Sequence, residues 1–246
     1  MATSFFHVSD IHFGVEDRDA LAAVEADLER DRPDALVCTG DLTQRAKHSE
    51  YRDAAAWFAS LGVPVVLEPG NHDMPYYNPF ERFFDPYRRF RRLDAEVGTV
   101  FESEDVVLVS LKTTVRAQGR FPWSDGVVTD KALARSLDRL AALRDDPRKV
   151  IVTAHHPLLG SRGEKANPTI GGDRAFAAIA AAGADAILSG HVHRPFDEMR
   201  ESGGHSMRMI GAGTLSTRLR HGAPASYRVV SIAAGTITSE LRELPA

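Results

Sequence analysis

Five short apolar runs in this chain end in polar residues drawn from the same few types, and that repetition constrains the fold more than any other feature. Phe5 to Val8 runs into Ser9-Asp10-Ile11-His12. Later runs deliver Gly40-Asp41, Gly70-Asn71-His72-Asp73, Ala154-His155-His156-Pro157 and Gly190-His191-Val192-His193. Asp10 and His12 lie two apart, so on an extended backbone both side chains leave the same face. A carboxylate and an imidazole converging at a strand end make half of a divalent-metal site. Taken alone, Asp-x-His is a common loop start. With four matching stretches it becomes a chain expected to bring five strand ends together.

The segments between the blocks fit that expectation. Thr3 to Ser9 reads as a strand, Asp17 to Arg30 as a helix with Leu21, Val24 and Leu28 on one face, and Ala35 to Thr39 as a buried strand. Ser49 is the expected N-cap of a helix through Leu61, and Val63 to Leu67 is a third strand. This β-α-β-α-β opening implies a parallel sheet with ligand sites outside the carboxyl ends of its strands.

Asn78-Pro79 and Asp85-Pro86 each read as an N-cap followed by proline at the first helical position, so Met74 to Leu93 is expected as two short helices. They would bury Phe80, Phe83, Phe84, Tyr87 and Phe90 and solvate Arg82, Arg88, Arg89, Arg91 and Arg92. The sharper alternative is a wall or lid beside a metal site, with an arginine meeting substrate. Gly98 to Ser103 and Asp105 to Leu111 read as a hairpin. Thr113 to Thr129 and Ser161 to Gly172 read as long loops, Asp130 to Leu143 and Asp173 to Ala182 as helices, and Lys149 to Ala154 and Ala184 to Ser189 as strands. The tail runs Ser206 to Gly211, Tyr227 to Ala233 and Ile237 to Leu244 suggest an antiparallel meander. With no repeat or linker in view, residues 1–246 are expected to form a single domain.

Composition narrows the function. A chain 43% hydrophobic and 26% charged with net charge −4 is of globular type, and its acidic balance argues against a nucleic-acid polymer as partner. The lone Cys38 sits in an apolar strand and cannot staple the fold. No run approaches the ~18 apolar residues of a membrane span, so no integral membrane segment and a cytoplasmic location are expected. A homo-oligomer stays open.

The candidate ligands are Asp10, His12, Asp41, Asn71, His155, His191 and His193. They are too many for one zinc ion and suit two ions sharing a ligand. Oxygen and imidazole donors without thiolate suit Mn, Fe, Zn or Co. Asp41, following a glycine, is the natural bridge. Two divalent ions carry four positive charges, and two aspartates with one hydroxide remove three, which leaves a cleft that attracts an anion. Two ions roughly 3.5–4 Å apart can activate water and clamp the oxygens of an in-line phosphoryl displacement. The residues thus point to metal-assisted hydrolysis of a phosphate ester.

The ordered set D-x-H, G-D, G-N-H-[DE], H and G-H-x-H resembles the calcineurin-like metallophosphoesterase superfamily over nearly the whole chain. His7 to His12, Gly40 to Thr43, Pro69 to Asp73 and Gly211 to Thr214 look most like bacterial class III cyclic-nucleotide phosphodiesterases and glycerophosphodiesterases. The resemblance implies an α/β, four-layer αββα sandwich with two mixed β-sheets flanked by helices. It implies one ion on Asp10, His12, Asp41 and His193, and another on Asp41, Asn71, His155 and His191. His72 would orient a phosphate oxygen or protonate the leaving alkoxide, with Asp73 fixing the orientation of His72. The implied activity is hydrolysis of a small phosphodiester, such as 3',5'-cAMP or a glycerophosphodiester, by a metal-bridging hydroxide. Alternatives are a nucleotide-diphospho-lipid pyrophosphohydrolase of the UDP-diacylglucosamine type, a promiscuous phosphatase, and a non-catalytic protein-binding scaffold. Of the other histidines, His156 is expected to face away from its neighbour His155, and His7 to be a satisfied buried histidine. His48, His205 and His221 are expected at the surface, although His221 could line the cleft.

Overall fold

Both faces of the first strand are buried, and this decides the layering. The computed structural model describes residues 2–120, 123–160, 169–220 and 222–244. Along β1 (Thr3–Val8), Phe6 and Val8 point toward helices while Phe5 points into a second core. In β2 (Ala35–Cys38), Leu36 and Cys38 take the first direction and Ala35 and Val37 the second. A strand covered on both faces belongs inside a stack of layers.

The first sheet has the order β10-β9-β1-β2-β3, with β3 spanning Val65–Leu67, β9 Ser226–Ala233 and β10 Thr236–Glu243. β1, β2 and β3 are parallel; β9 runs antiparallel to β1 and to β10. The second sheet has the order β4-β5-β6-β8-β7, made of Val106–Ser110, Lys149–Thr153, Ala186–Ser189, His205–Gly211 and, at the edge, Phe196–Ser202. Only β7 is antiparallel there. Phe5, Val37, Ile151, Leu188, Ile210 and Ile232 fill the space between the sheets. The helices α1 (Arg18–Asp31), α2 (His48–Ser60) and α4 (Arg88–Val97) cover the outer face of the first sheet. The helices α5 (Asp130–Ala142) and α6 (Gly172–Ala181) cover the outer face of the second. The four-layer αββα arrangement with two mixed sheets is as expected.

Local chemistry sets the helix starts. The Asp17 carboxylate caps α1, accepting from the Asp19 and Ala20 N–H groups at 3.1 Å. Asn78 caps α3 (Pro79–Phe84) in the same way through the Glu81 N–H. At α2 the organiser is Glu50 rather than Ser49: its carboxylate takes the N–H groups of Lys47 and Arg45, and the N-cap position falls two residues earlier, at Lys47. Asp85-Pro86 does not open α4 either. Asp85 closes α3 and pairs with Arg91, and Tyr87 stands at the start of α4.

Three other expectations are corrected. The hairpin shrinks to a bridge between Glu102 and Val107, because β4 pairs parallel with β5 and residues 98–103 pass back toward β3. The tail meander is divided between the sheets: β8 joins β6 and β7, while β9 and β10 join β1. Gly211 and Gly213 make that crossing possible, since a Cβ at either would strike Phe196 or Ser226. The third concerns α3, whose Phe80 and Phe84 are 71% and 73% exposed. Two of the arginines turn inward instead: Arg89 of α4 pairs with Glu81 and reaches the Ala46 carbonyl, and Arg82 of α3 donates to the Arg116 carbonyl, while Arg88, Arg91 and Arg92 stay exposed. Most of the loop expected at 161–172, and His221, lie outside the described residues. Among the described residues no helix is long and apolar enough to cross a membrane.

Candidate metal centre

The ligand loops leave the strands by left-handed turns. Asp10, His12, Asp41, His191 and His193 have φ of 54°, 53°, 53°, 70° and 56°. Such conformations cost of order 1–3 kcal/mol each for residues with a Cβ and gather where function requires them. Asp10 and His12 therefore do not converge by strand alternation, as the sequence suggested; β1 ends at Val8 and a turn aims both. Their N–H groups bond the carbonyls of Gly40 and Asp41 at 3.0 Å, which locks the first two loops together. Two glycines permit the close approach of the remaining loops. A Cβ at Gly40 would lie 2.6 Å from His155 Nδ1, and one at Gly190 would lie 2.6 Å from Asp10 Oδ2 and strike Ser9.

The donors gather in two groups on either side of Asp41. In the first, His193 Nδ1–H donates to the Arg218 carbonyl at 2.8 Å, which leaves the Nε2 lone pair bare. That nitrogen lies 3.2 Å from Asp10 Oδ1 and 3.1 Å from His12 Nε2. In the second, His155 Nδ1–H donates to the Thr39 carbonyl at 2.7 Å, and its bare Nε2 lies 3.1 Å from Asn71 Oδ1 and 3.4 Å from Asp41 Oδ1. The other Asp41 oxygen lies 3.7 Å from His12 Nε2. The His191 ring sits 5.2 Å from that of His155, and the His191 N–H holds Asp10 Oδ2 at 2.7 Å.

These residues fit divalent cations. Ligand atoms about 2.0–2.2 Å from one ion stand roughly 3.0–3.5 Å apart, the spacing found between these bare donors. Among the described residues, buried Asp10 Oδ1 has no hydrogen-bond donor, a costly state that a cation relieves. Electrostatics agree. Burial alone would raise Asp10 and Asp41, yet His193 and His155 hold them well below the usual carboxylate range. Burial pulls His12 down to about 3 and His191 to about 4, which leaves both neutral as ligands must be. Burial also opposes charge on His155, but Asp41 and Asp10 outweigh it and push it up to about 9. The pocket demands positive charge.

Beside the donors, the half-buried His72 donates Nδ1–H to the Gln44 carbonyl at 2.7 Å, and its Nε2 lies 3.3 Å from an Arg218 nitrogen. Asp73 does not orient this ring, contrary to expectation. Its carboxylate collects the N–H groups of Leu42, Thr43 and Gly70 and the Thr43 hydroxyl, tying the second loop to the third. Burial and the Asp41 charge push Asp73 up to about 7, against the pull of those donors. His156 does not face away: its ring packs 4.4 Å from that of His191. Both its nitrogens are engaged, with the Thr113 hydroxyl and the Ser124 carbonyl, so its part is to buttress. His7 bonds Thr39 through Nε2, but its buried Nδ1 has no partner among the described residues, and burial pulls the ring down to about 3. His48 is exposed, and His205 donates to the Ala184 carbonyl. Gln44 and Arg218 stand outside the five blocks, and only their position beside the ring of His72 singles them out.

Comparison with known proteins agrees with this geometry. Residues 3–195 match the calcineurin-like phosphoesterase family. A probable cyclic nucleotide phosphodiesterase of Rhodopseudomonas palustris is 29% identical over 205 residues, covering 78% of this chain and 72% of that protein. A cAMP/cGMP dual specificity phosphodiesterase of Mycobacterium tuberculosis is 30% identical over 76% of this chain, which spans only 60% of its length. Glycerophosphodiester phosphodiesterase GpdQ of Enterobacter lignolyticus is 33% identical over 27% of this chain and 28% of its own. Among solved structures, a dimetal phosphatase from Danio rerio superposes with a TM-score of 0.69 at 13% identity, over 98% of this chain and 96% of that one. That likeness is of fold. The family match spans most of the chain and takes in all five of the loops that carry the candidate donors: this protein is a member of the calcineurin-like phosphoesterase family, a hydrolase of phosphoesters.

Proposed function

We propose that this chain is a dinuclear metal-dependent phosphodiesterase acting on a small phosphodiester, a cyclic nucleotide or a glycerophosphodiester. The observation that carries the reading is the position of Asp41, whose two oxygens face His12 on one side and His155 on the other. Asp10, His12, Asp41 and His193 would hold one ion, and Asp41, Asn71, His155 and His191 the other. When bound, two divalent cations supply Lewis-acid charge for phosphoryl oxygens and lower the pKa of water to near neutrality; Mn, Fe, Zn and Co all suit these donors.

The chain's own residues do the rest. The Thr39 and Arg218 carbonyls fix the rings of His155 and His193 so that Nε2 points inward. The Gln44 carbonyl fixes His72, whose Nε2 would hand a proton to the departing alkoxide oxygen. Both sheets supply ligands, which supports a single catalytic domain over 1–246. The unpaired, buried Cys38 supports a reducing, cytoplasmic setting.

The test is turnover of bis(p-nitrophenyl) phosphate, cyclic AMP and glycerophosphocholine by manganese-loaded protein, against a chelated control. The reading predicts metal-dependent cleavage of at least one; no turnover of any diester would sink it. A second reading follows from the exposed aromatics Tyr76, Tyr77, Phe80 and Phe84, which suit an amphiphilic substrate such as a nucleotide-diphospho-lipid. Cleavage of that class in detergent, with none of soluble diesters, would favour it.

A further inference from the structure

Arg218 carries a function that its sequence neighbourhood did not announce. It lies in the irregular segment between β8 and β9, where its N–H contacts Ser216 Oγ and its carbonyl accepts from His193 Nδ1. With the backbone held at both points, the half-buried side chain turns toward the metal ligands. One terminal nitrogen (Nη1) lies 3.1 Å from Gln44 Oε1, 3.3 Å from His72 Nε2 and 3.4 Å from His12 Nε2.

Two facts make this placement incomplete without a further group. A guanidinium is always cationic, yet among the described residues no carboxylate pairs with this one, and its Nε and Nη2 have no partner. Arg45 and Arg220 add charge of the same sign nearby, and the more distant Asp41 and Asp10, which favour the cation, are themselves candidate metal donors. The ring it touches at His12 is also one that would hold a divalent cation, so the fixed charge repels exactly where more positive charge is needed. An anion seated between guanidinium and ions turns that repulsion into attraction on both sides. Arginine's planar fork suits two oxygens of one phosphate, and its two unused donors are available for them.

We propose that Arg218 is a substrate-binding residue that grips a non-bridging oxygen of the substrate phosphate beside His72. The inference rests on the phosphoester reading of the site and names the protein group that completes it. Arg218 also explains how one residue serves two ends: its carbonyl aims a ligand, and its side chain aims the substrate at that ligand's ion.

The test compares wild type with Arg218→Lys and Arg218→Met, both of which keep the backbone carbonyl. Manganese content is measured by elemental analysis, inorganic phosphate binding to the manganese-loaded proteins by calorimetry, and kcat and KM on bis(p-nitrophenyl) phosphate. The expected result is unchanged manganese, phosphate affinity reduced about tenfold or more in Arg218→Met, and partial recovery in Arg218→Lys. KM should rise in step with the lost affinity. Phosphate affinity equal to wild type in Arg218→Met overturns the proposal. So does loss of manganese in both variants, which would make the side chain a support for the ligands. Loss of phosphate affinity in Arg218→Met, alongside wild type that cleaves no diester, supports Arg218 as the anion contact while overturning the phosphodiesterase reading separately.

Discussion

The backbone carbonyl of Gln44 accepts the Nδ1 proton of His72 at 2.7 Å, and this bond decides which nitrogen of the ring is free for chemistry. With Nδ1 occupied, Nε2 is the nitrogen left beside Arg218. His72→Ala removes that nitrogen without touching either donor group, so manganese content should hold while kcat falls about 10²- to 10⁴-fold. Parallel loss of manganese and turnover would make His72 a ligand or a structural residue.

Asp73 acts as a tie between loops. Four donors converge on its carboxylate, and Tyr51 bonds its carbonyl at 2.6 Å. Asp73→Ala leaves those donors buried and unpaired, at about 3 kcal/mol or more. Chemical denaturation should show that loss, and an unchanged midpoint would contradict it.

Glu68 gives the fold a pH dependence. It lies buried between the sheets, with Thr153 and Ser110 donating to its two oxygens at 2.6 and 2.9 Å. Burial pushes its carboxyl from 4.5 up to about 7, against the pull of those hydroxyls. A folded value raised above the unfolded one means the folded chain holds the proton more tightly. The associated stability is complete below about 4.5 and is lost as pH rises through about 7, for a total of about 3 kcal/mol. Urea unfolding at about pH 5 and about pH 8 should show this decline in wild type and a flatter profile in Glu68→Gln. Equal slopes would contradict it.

Removing metal should destabilise the protein as well as inactivate it. Chelation leaves Asp10 Oδ1 buried without a partner and two ionised aspartates facing each other's field. Ions at a hundred times their dissociation constant contribute about 2.7 kcal/mol for each site. The thermal midpoint should fall on chelation and return with manganese; an unmoved midpoint would argue against ions in this pocket.

How much of this was legible in the sequence differs between parts of the molecule. The parallel strands were clear because apolar runs such as Ala35 to Cys38 are buried on both faces, and the loops after them carry donors that have few other uses. β7 was invisible because Phe196–Ser202 is a half-exposed edge strand rich in charge. The split of the tail between two sheets was hidden too, since alternation in β8 and β9 reports a buried face and not the neighbour that buries it. At the site, residue types were readable but directions were not. Asp10 and His12 converge through left-handed turns, and His156 packs on the candidate ligand His191 because β5 ends at Thr153, before the histidine pair. Gln44 and Arg218 contribute through contacts that join residues 28 and 146 positions from His72, which no local pattern encodes.

In the proposed site two ions share Asp41. Manganese titration of metal-free protein, followed by calorimetry with elemental analysis of the saturated product, tests it most directly. The account predicts two manganese ions per chain in wild type and weakened binding of both in Asp41→Asn. One ion per chain at saturation, or two ions bound by Asp41→Asn as tightly as by wild type, would contradict it.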